Sequence, residues 1–562
     1  MAKKIKFIPD SKFKDSERFV VPEGCAKIDD KAFADWKNLR SVRLPEGGTS
    51  IGNNAFDGCE ALESIVIPNT VVLIGNDAFS GCKNLRSIVI PESVKKIGET
   101  AFRNCQSLSS IELDENNTQY RLIDGALFTK DGKTLIKYPS DRKDKEYVVP
   151  RFTTTICDYA FSGAEQLETV FLSTMIELVE KHSFSGCRAL KEIVVETTSE
   201  FYQSIEGILF TRDGKTLVRR PQGRSEKQYD VPEGVETIGY GAFDGCYALE
   251  TVTLPQSLVS IGASAFKRCS RLKSIELPSG VVNIGVGAFA NCESLTSVKI
   301  PGGVSIVDFW TFCGCSSLES VEIPEGVVEI AANAFKSCLS LKEVVLPSTL
   351  RKLDERTFER CSALQSVVFS KQNANCDKSR EGNNKLEILQ KAFYDCASLT
   401  KIKLPSGLRT IDNLTFSGCE SLKSIEIPDG VAAVGIGAFF GCESLETVVL
   451  PESVEKIGEA AFYGCHSLKS VDLSKQTGTI GDRAFDECES LTIRAPQGSS
   501  AERYAIKNGL DFAPCETKSA PCETRSALMK RHEAALERLR RLKESRAERR
   551  VIKHVVNLEP VE

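Results

Sequence analysis

A phenylalanine recurs at a constant period of 23 along most of this 562-residue chain, as at Phe33, Phe56 and Phe79. The period holds for 17 phenylalanines in four runs, which are separated by two long gaps of equal length and one shorter gap. A leucine follows each phenylalanine by six positions, and a cysteine follows fifteen of them by three. Residues that recur at one period occupy the same place in successive coils. The sequence therefore predicts one long repeat array and excludes the three or four separate domains that the length would otherwise suggest.

Each repeat unit has the pattern of a short strand followed by a turn. Residues 87–90 read Ser-Ile-Val-Ile, and this alternation predicts a strand with Ile88 and Ile90 facing inward. Pro91 ends the strand, because proline has no N–H to donate to a ladder. A short helical turn is expected to begin just before Phe102. Stacked coils of this kind bury a continuous apolar core, with their strands paired in parallel.

The repeat pattern resembles a known family. Residues 97–108 read Ile-Gly-Glu-Thr-Ala-Phe-Arg-Asn-Cys-Gln-Ser-Leu, which is similar to the BspA-type (Treponema-type) leucine-rich repeat, and the similarity covers about residues 19–496. It implies a repeat solenoid of the α/β leucine-rich repeat type, here with 17 coils at the period of 23 and a parallel β-sheet on one face. The resemblance also implies a binding function, which in this family is often that of a bacterial surface adhesin.

Two inserts interrupt the array and match each other. Residues 125–135 and 207–217 share the pattern Gly-x-Leu-Phe-Thr-x-Asp-Gly-Lys-Thr-Leu. The Asp-Gly pair in each predicts a type I′ turn. We therefore expect two β-hairpin inserts, near 120–150 and 202–232, that project from one edge of the solenoid. A polar loop near 371–384 accounts for the third gap.

The two ends of the chain depart from the repeat. Residues 1–32 are predicted to form a partial coil and cap, with the solenoid over 33–496 and a C-terminal cap at 497–512. A capping box at Ser499 and a glycine at Gly509 predict a short helix in that cap. Residues 513–526 contain a tandem repeat that is typical of a linker.

Residues 527–562 form a basic tail. Between Ala527 and His554 there are ten Lys and Arg against four Asp and Glu, a net charge of +6, whereas the whole chain carries −5. A narrow apolar stripe predicts a C-terminal helix with Leu528, His532, Ala535, Leu539 and Leu542 on one side. Such a helix could dock onto the acidic solenoid, pair with a partner helix, bind another acidic surface, or remain solvated.

The sequence argues against an enzyme or a metalloprotein. The chain has 4 histidines, and His182 and His466 are expected to be solitary residues on the coil surface. Cys313 and Cys315 resemble a ligand pair, but no histidine or second pair lies nearby, and fifteen cysteines are expected to be reduced residues of the core. No nucleophile–base–acid set is apparent, so no catalytic residue, metal, cofactor or small-molecule substrate is predicted.

Location and partner class follow from the charge and from the start of the sequence. No apolar leader follows Met1 and no run of about 18 apolar residues occurs, which predicts a cytoplasmic protein without a membrane span. Export by an unrecognised route is the alternative. The net charge of −5 argues against a nucleic-acid partner, apart from the basic tail.

The outward side of the predicted sheet is the candidate binding surface. One outward position per strand varies between charged and apolar residues, and apolar residues occur there at Val66, Val89, Phe171, Val194, Val345, Val368 and Val449. Adjacent exposed apolar side chains are typical of contact sites, although ordinary β-propensity also places valine there. The sequence thus predicts a non-enzymatic scaffold that binds a protein partner through the sheet face, the hairpins or the tail. The alternative is a secreted or cell-surface adhesin that binds host or matrix proteins.

Overall fold

The structure, a computed structural model, describes residues 5–7, 9, 11–370 and 386–515. The predicted loop near 371–384 and the predicted basic tail at 527–562 lie outside the described residues, as does most of the predicted linker. Within them, the chain is a solenoid whose coils contribute strands to two stacks, and the strands of both stacks are parallel except in the two inserts. We call these stacks the front sheet and the back sheet.

The front sheet contains 21 strands, one from each coil. They are Arg18–Val20, Ser41–Arg43, Ser64–Val66, Ser87–Ile90, Ser110–Leu113, Glu146–Val148, Thr169–Leu172, Glu192–Val195, Gln228–Asp230, Thr251–Thr253, Ser274–Ile275, Ser297–Lys299, Ser320–Glu322, Glu343–Leu346, Ser366–Phe369, Lys401–Ile402, Ser424–Glu426, Thr447–Val449, Ser470–Asp472, Thr492–Ala495 and Asp511–Pro514.

The back sheet is made of shorter strands, most of them two residues long. They are Ile5–Phe7, Cys25–Ile28, Ser50–Ile51, Leu73–Ile74, Lys96–Ile97, Tyr120–Ile123, Ala126–Thr129, Thr134–Lys137, Thr155–Ile156, Leu178–Val179, Tyr202–Ile205, Ile208–Thr211, Thr216–Arg219, Thr237–Ile238, Ser260–Ile261, Asn283–Ile284, Ile306–Val307, Glu329–Ile330, Lys352–Leu353, Glu387–Ile388, Thr410–Ile411, Ala433–Val434, Lys456–Ile457 and Thr479–Ile480.

The prediction of a parallel-stranded repeat solenoid is confirmed. Strands pair at the repeat period, so that Ser87 lies opposite Ser110, and Ile88 and Ile90 are buried as the alternation predicted. The back sheet is an addition to the prediction. Each of its two-residue strands supplies a single inward side chain, such as Ile97, and so short a segment shows no alternation that sequence reasoning could detect.

The predicted helical turn around each phenylalanine is wrong. Residues 99–104 form consecutive turns without an α-helix. Backbone conformation explains the difference, because a residue with positive φ follows each phenylalanine by two positions, and in most coils another precedes it by two. In the coil of Phe56, Asn54 has φ 55° and Gly58 has φ 71°. A right-handed helix cannot continue through a left-handed residue, so the chain turns twice and returns to the front sheet.

The phenylalanines form a stacked column through the core. The rings of Phe56 and Phe79 lie 5.5 Å apart and within 2° of parallel, and the same geometry recurs along the array. Two further residues occupy the column, where each insert rejoins it: Tyr138 lies one repeat period before Phe161, and Arg220 lies one period before Phe243. Together with one partial coil at each end, these raise the predicted 17 coils to the 21 of the front sheet.

The two inserts are β-hairpins, but they do not project from the solenoid. In the first, Tyr120–Ile123 pairs antiparallel with Ala126–Thr129, which pairs antiparallel with Thr134–Lys137. The last of these strands pairs in parallel with Thr155–Ile156, so the insert belongs to the back sheet. Its apolar side chains, such as Phe128, are fully buried, and burial of that area holds the hairpin within the core.

The position of the tight turn in each hairpin also differs from the prediction. Both residues of the pair Asp124–Gly125 have positive φ, as a type I′ turn requires, whereas at Asp131–Gly132 only the glycine does. The Asp131 carboxylate instead accepts hydrogen bonds from the Lys133 N–H and the Thr129 hydroxyl. The second hairpin repeats both features.

Polar side chains complete the hydrogen bonding where each insert rejoins the array. In uninterrupted coils, the carbonyl after the column phenylalanine accepts a backbone N–H from the preceding coil, as Ser80 O does from Gly58 N. At the first insert, Ser162 O accepts instead from Lys137 Nζ at 3.0 Å and from the Ser140 hydroxyl at 2.8 Å. Burial lowers the pKa of Lys137 to about 8.

The C-terminal cap contains the helix that the capping residues predicted. It spans Ser500–Asn508, the Ser499 hydroxyl accepts from the Glu502 N–H, and Gly509 ends it with φ 66°. Tyr504 packs edge-on against Phe485 at 6.0 Å and so closes the end of the phenylalanine column. The chain then returns to the front sheet at Asp511–Pro514, so the last strand includes the first residues of the predicted linker.

A cysteine column runs beside the phenylalanine column. Each of its fifteen thiols lies against the carbonyl oxygen of the column residue one coil back, at 3.1 Å for Cys292 and Phe266. A thiol is a small apolar group with a weak donor, which suits this buried position. Burial raises the pKa of the Cys59 thiol to about 12 from its ordinary value of 9.0, and raises those of Cys292 and Cys419 as well.

The cysteine column predicts that alkaline pH destabilises the protein. An unfolded thiol loses its proton near pH 9, but a folded one keeps it to about pH 12, so the folded state binds more protons between these values. The free energy of unfolding should therefore fall as pH rises through this range. Replacing Cys59, Cys292 and Cys419 by alanine should make the loss between pH 8 and pH 10 smaller by about 4 kcal/mol. Urea unfolding of both proteins at pH 8 and pH 10 measures this difference. An equal loss of unfolding free energy in the wild type and the triple variant would contradict the raised pKa of the column thiols.

Candidate functional site

The outward row of the front sheet carries the predicted binding residues. Strand alternation turns the residue after each buried Val, Ile or Tyr away from the core. The structure places all seven candidates there: Val66, Val89, Val345 and Val368 are exposed, and Phe171, Val194 and Val449 are half-buried. The candidates do not form one surface. They fall into separate patches, because charged residues such as Glu112 and Glu322 occupy the same row between them.

One patch is longer than the sequence suggested. Val148 lies opposite Phe171, and Phe171 lies opposite Val194, on three adjacent parallel strands. Val148 is 64% exposed and was missed, because its coil has Tyr138 in place of the phenylalanine that marks the period. Its outward position could have been found by counting one repeat period back from Phe171.

These three side chains form the floor of an open groove, which we call the front groove. Its volume is about 440 Å³, and it is lined by Glu146, Val148, Val149, Arg151, Phe171, Leu172, Ser173, Val194 and Glu196. Arg151 Nε lies 3.7 Å from Glu196 Oε1 across one side. The floor is apolar and the rim carries more acidic than basic groups. The groove can therefore accept an apolar side chain whose neighbours are basic.

A ladder of ion pairs runs beside the front groove. Glu168 lies between two lysines, 3.0 Å from Lys145 Nζ and 2.6 Å from Lys191 Nζ. Hydrogen bonds from these lysines, with that of Lys191 the stronger, hold the pKa of Glu168 below its usual range. The same arrangement recurs at Lys227, Glu250 and Lys273, where the pKa of Glu250 falls to about 2. Oppositely charged side chains at one coil position thus fix the register of neighbouring strands.

The second hairpin closes one end of the front groove. Ile193 N–H donates to Gly207 O at 2.9 Å, and the Ser204 hydroxyl donates to Ile193 O at 2.6 Å. These bonds take the place of a further front strand, since Glu192–Val195 pairs on one side only. The groove therefore spans the three strands that lie between the two inserts.

His182 is not solitary, contrary to the sequence prediction. Its Nδ1 lies 2.9 Å from Asp158 Oδ1, its Nε2 lies 2.6 Å from the Tyr240 hydroxyl, and its ring stacks on Tyr159 at 4.6 Å. Tyr240 is 58 residues away in sequence, across the second insert, so no local pattern predicts the contact. Burial raises the pKa of Tyr240, which makes the phenol a poor nucleophile at neutral pH. The group links the coils on either side of the insert.

An aromatic pair on another edge was also missed. Phe309 and Trp310 are both exposed, with ring centres 6.3 Å apart, and Trp310 has φ 54° at a coil position where glycine occurs elsewhere. Cys315 of the adjacent Cys-Gly-Cys segment belongs to the buried cysteine column, and Cys313 is half-buried. Among the described residues, no three His, Cys, Asp or Glu side chains are grouped as metal ligands would be. None of the helices in this part of the chain has the length and apolar character needed to span a bilayer.

Comparison with known families now identifies the repeat. A model described as a BspA type leucine rich repeat region matches residues 6–129, 143–212, 223–310, 282–381 and 386–509. The chain belongs to the BspA-type leucine-rich repeat family. No curated protein sequence matches this BspA-type protein.

Solved structures with similarity to this BspA-type protein come from several bacteria. A leucine-rich repeat protein from Bacteroides ovatus ATCC 8483 is 26% identical, over 71% of this chain and 98% of that one, with a TM-score of 0.46. A leucine rich cell surface protein from Faecalibacterium prausnitzii A2-165 is 25% identical, over 64% of this chain and 89% of that one, with a TM-score of 0.37. A leucine rich repeat protein from T. pallidum is 23% identical, over 49% of this chain and 90% of that one, with a TM-score of 0.27.

The front groove of this BspA-type protein predicts opposite outcomes at two adjacent valines. Val148 is 64% exposed, whereas Val149 is 1% exposed. Replacing Val149 by serine should lower the free energy of unfolding by about 2–3 kcal/mol, because a hydroxyl enters the core. The same change at Val148 should cost less than about 0.5 kcal/mol. Urea unfolding of the two variants measures the difference, and similar costs would show that Val148 does not face outward.

Proposed function

We propose that this protein is a non-enzymatic scaffold that binds a protein partner through the front groove. The observation that carries the proposal is the continuous apolar row of Val148, Phe171 and Val194 on three adjacent strands. Contiguous exposed apolar groups with a polar rim are typical of protein contact sites. Phe171 is the anchor, because a large aromatic side chain buries much area at low entropic cost.

The rim defines the chemistry of the partner. Glu146 and Glu196 are the acidic groups among the groove-lining residues, and Arg151 is the basic one. A partner segment with one or two apolar side chains flanked by lysine or arginine complements this distribution of charge. Binding to such a rim should weaken as salt rises, because its carboxylates are exposed and screened by ions.

A pull-down with the full chain as bait tests the proposal. Proteins retained by the wild type should be lost with the double variant Val148→Ser plus Phe171→Ser. The matched variant Val66→Ser plus Val89→Ser changes two outward residues outside the groove, on the other side of the first insert, and should retain these proteins. Equal melting temperatures of the three baits show that each is folded. Retention of the same partners by the groove variant would overturn the proposal.

We further propose that the protein acts where thiols stay reduced. Support comes from the cysteine column, in which each thiol lies against a main-chain carbonyl and would lose this contact in a disulfide. The alternative is a cell-surface adhesin that uses the same groove. Cell fractionation, combined with a thiol count on the unfolded protein, separates the two. Protein outside the cell, or fewer free thiols than the 21 cysteines of the sequence, would favour the adhesin.

A further inference from the structure

A second apolar patch lies on the front sheet near the C-terminal end of the solenoid. Val345 and Val368 lie opposite each other on adjacent strands and are 48% and 43% exposed. Val449 occupies the same outward row three coils further on, after Lys403 and Glu426. We call Val345, Val368 and Val449 the distal patch.

The chain leaves the solenoid beside this patch. The last front strand, Asp511–Pro514, pairs with Thr492–Ala495, and Cys515 N–H donates to Ala495 O at 3.1 Å. From this strand to that of Val449 there are three strand spacings, or about 14 Å at 4.8 Å each. Eleven residues, 516–526, precede the basic tail, and fully extended they reach about 36 Å. The tail can therefore return over the distal patch of its own chain.

We propose that the basic tail of this chain docks on the distal patch as a helix, antiparallel to the direction in which the coils advance. The tail apolar stripe would then contact the three valines, with Leu528 nearest the point where the chain leaves the solenoid. The polarity follows from the topology, because the tail begins at the last coil and continues toward earlier ones.

The spacing of the stripe matches that of the valines. Leu539 and Leu542 are three residues apart, about 4.5 Å along a helix, which equals one strand spacing and so suits Val368 and Val345. Leu528 lies eleven residues before Leu539, about 16 Å away, close to the 14 Å between Val368 and Val449. Between these contacts the small side chain of Ala535 would lie over Lys403, and His532 over Glu426.

Charge favours this occupant. Residues 386–515 carry twelve Lys and Arg against eighteen Asp and Glu, a net charge of −6, whereas residues 527–554 carry +6. Opposite net charges raise the association rate and stabilise the docked state at low salt. The front groove is much farther from the point where the chain leaves the solenoid. Its nearest strand, Glu192–Val195, lies thirteen strand spacings, or about 62 Å, from the last strand, against about 14 Å for the strand of Val449.

Limited trypsin digestion of the full chain tests the proposal, because the tail is rich in cleavage sites. Cutting between Lys530 and Lys553 should be slow in the wild type and on the order of tenfold faster in Val345→Asp plus Val368→Asp, since docking protects these bonds. The matched variant Val66→Asp plus Val89→Asp should keep the wild-type rate. Equal cutting in the wild type and the distal-patch variant would overturn the proposal.

A second variant separates loss of tail docking from damage to the solenoid, and a second measurement separates docking within one chain from binding to a second copy. Leu539→Asp plus Leu542→Asp changes the tail alone and should accelerate cutting to the same extent, without any effect on the melting temperature of the solenoid. Sedimentation velocity over a range of protein concentrations should show a monomer with protection independent of concentration. Protection that appears only as dimers form would show that the tail binds a second copy, and would overturn docking within one chain.

Discussion

The distance between neighbouring coils is the constraint on which this structure depends. Column rings stack at about 5 Å, for example 5.0 Å between Phe33 and Phe56, so the backbones of successive coils are close enough for direct hydrogen bonds. At this spacing some positions have no room for a side chain. A Cβ on Gly75 would lie 2.7 Å from Asn53 N, which explains the glycine four residues before the phenylalanine in many coils. Close packing thus dictates the repeated residues, because any departure in one coil strains the contacts with its neighbours.

Because packing occupies the inward positions, the outward rows are where one coil can differ from the next. Two kinds of variation are visible on the front sheet. The row of Lys145, Glu168 and Lys191 alternates in charge and stabilises the register of the strands. The neighbouring row of Val148, Phe171 and Val194 is apolar without any packing reason within the coil. The proposed contact with a partner rests on this apolar row beside an ion-pair ladder.

The sequence predicted the repeat, the front strands and the capped helix, because each depends on residues within one period or one helix turn. The prediction failed where a residue of another type occupies a repeated position of the core. Tyr138 and Arg220 occupy the phenylalanine column. Because the period was followed by phenylalanine alone, both of their coils were missed, and Val148 was missed with the first of them. The hairpins were recognised from their Asp-Gly pairs, but their burial depends on back-sheet strands of two residues. The contact of His182 with Tyr240 spans 58 residues and depends on how the second insert is folded into the stack.

The inserts account for the position of the front groove. Each insert adds an antiparallel strand to the back sheet, and the front sheet is interrupted at the same place, between Ser110–Leu113 and Glu146–Val148 and again after Glu192–Val195. Polar side chains such as Lys137 and Gln222 replace the lost main-chain bonds there: Gln222 Nε2 donates to Asp244 O at 2.7 Å, as Lys137 does to Ser162 O. A uniform solenoid would offer the same outward row along its whole length without any boundary. The hydrogen bonding between front strands also lapses at three other places, but the two interruptions at the inserts bound three strands, and the apolar row lies on those three.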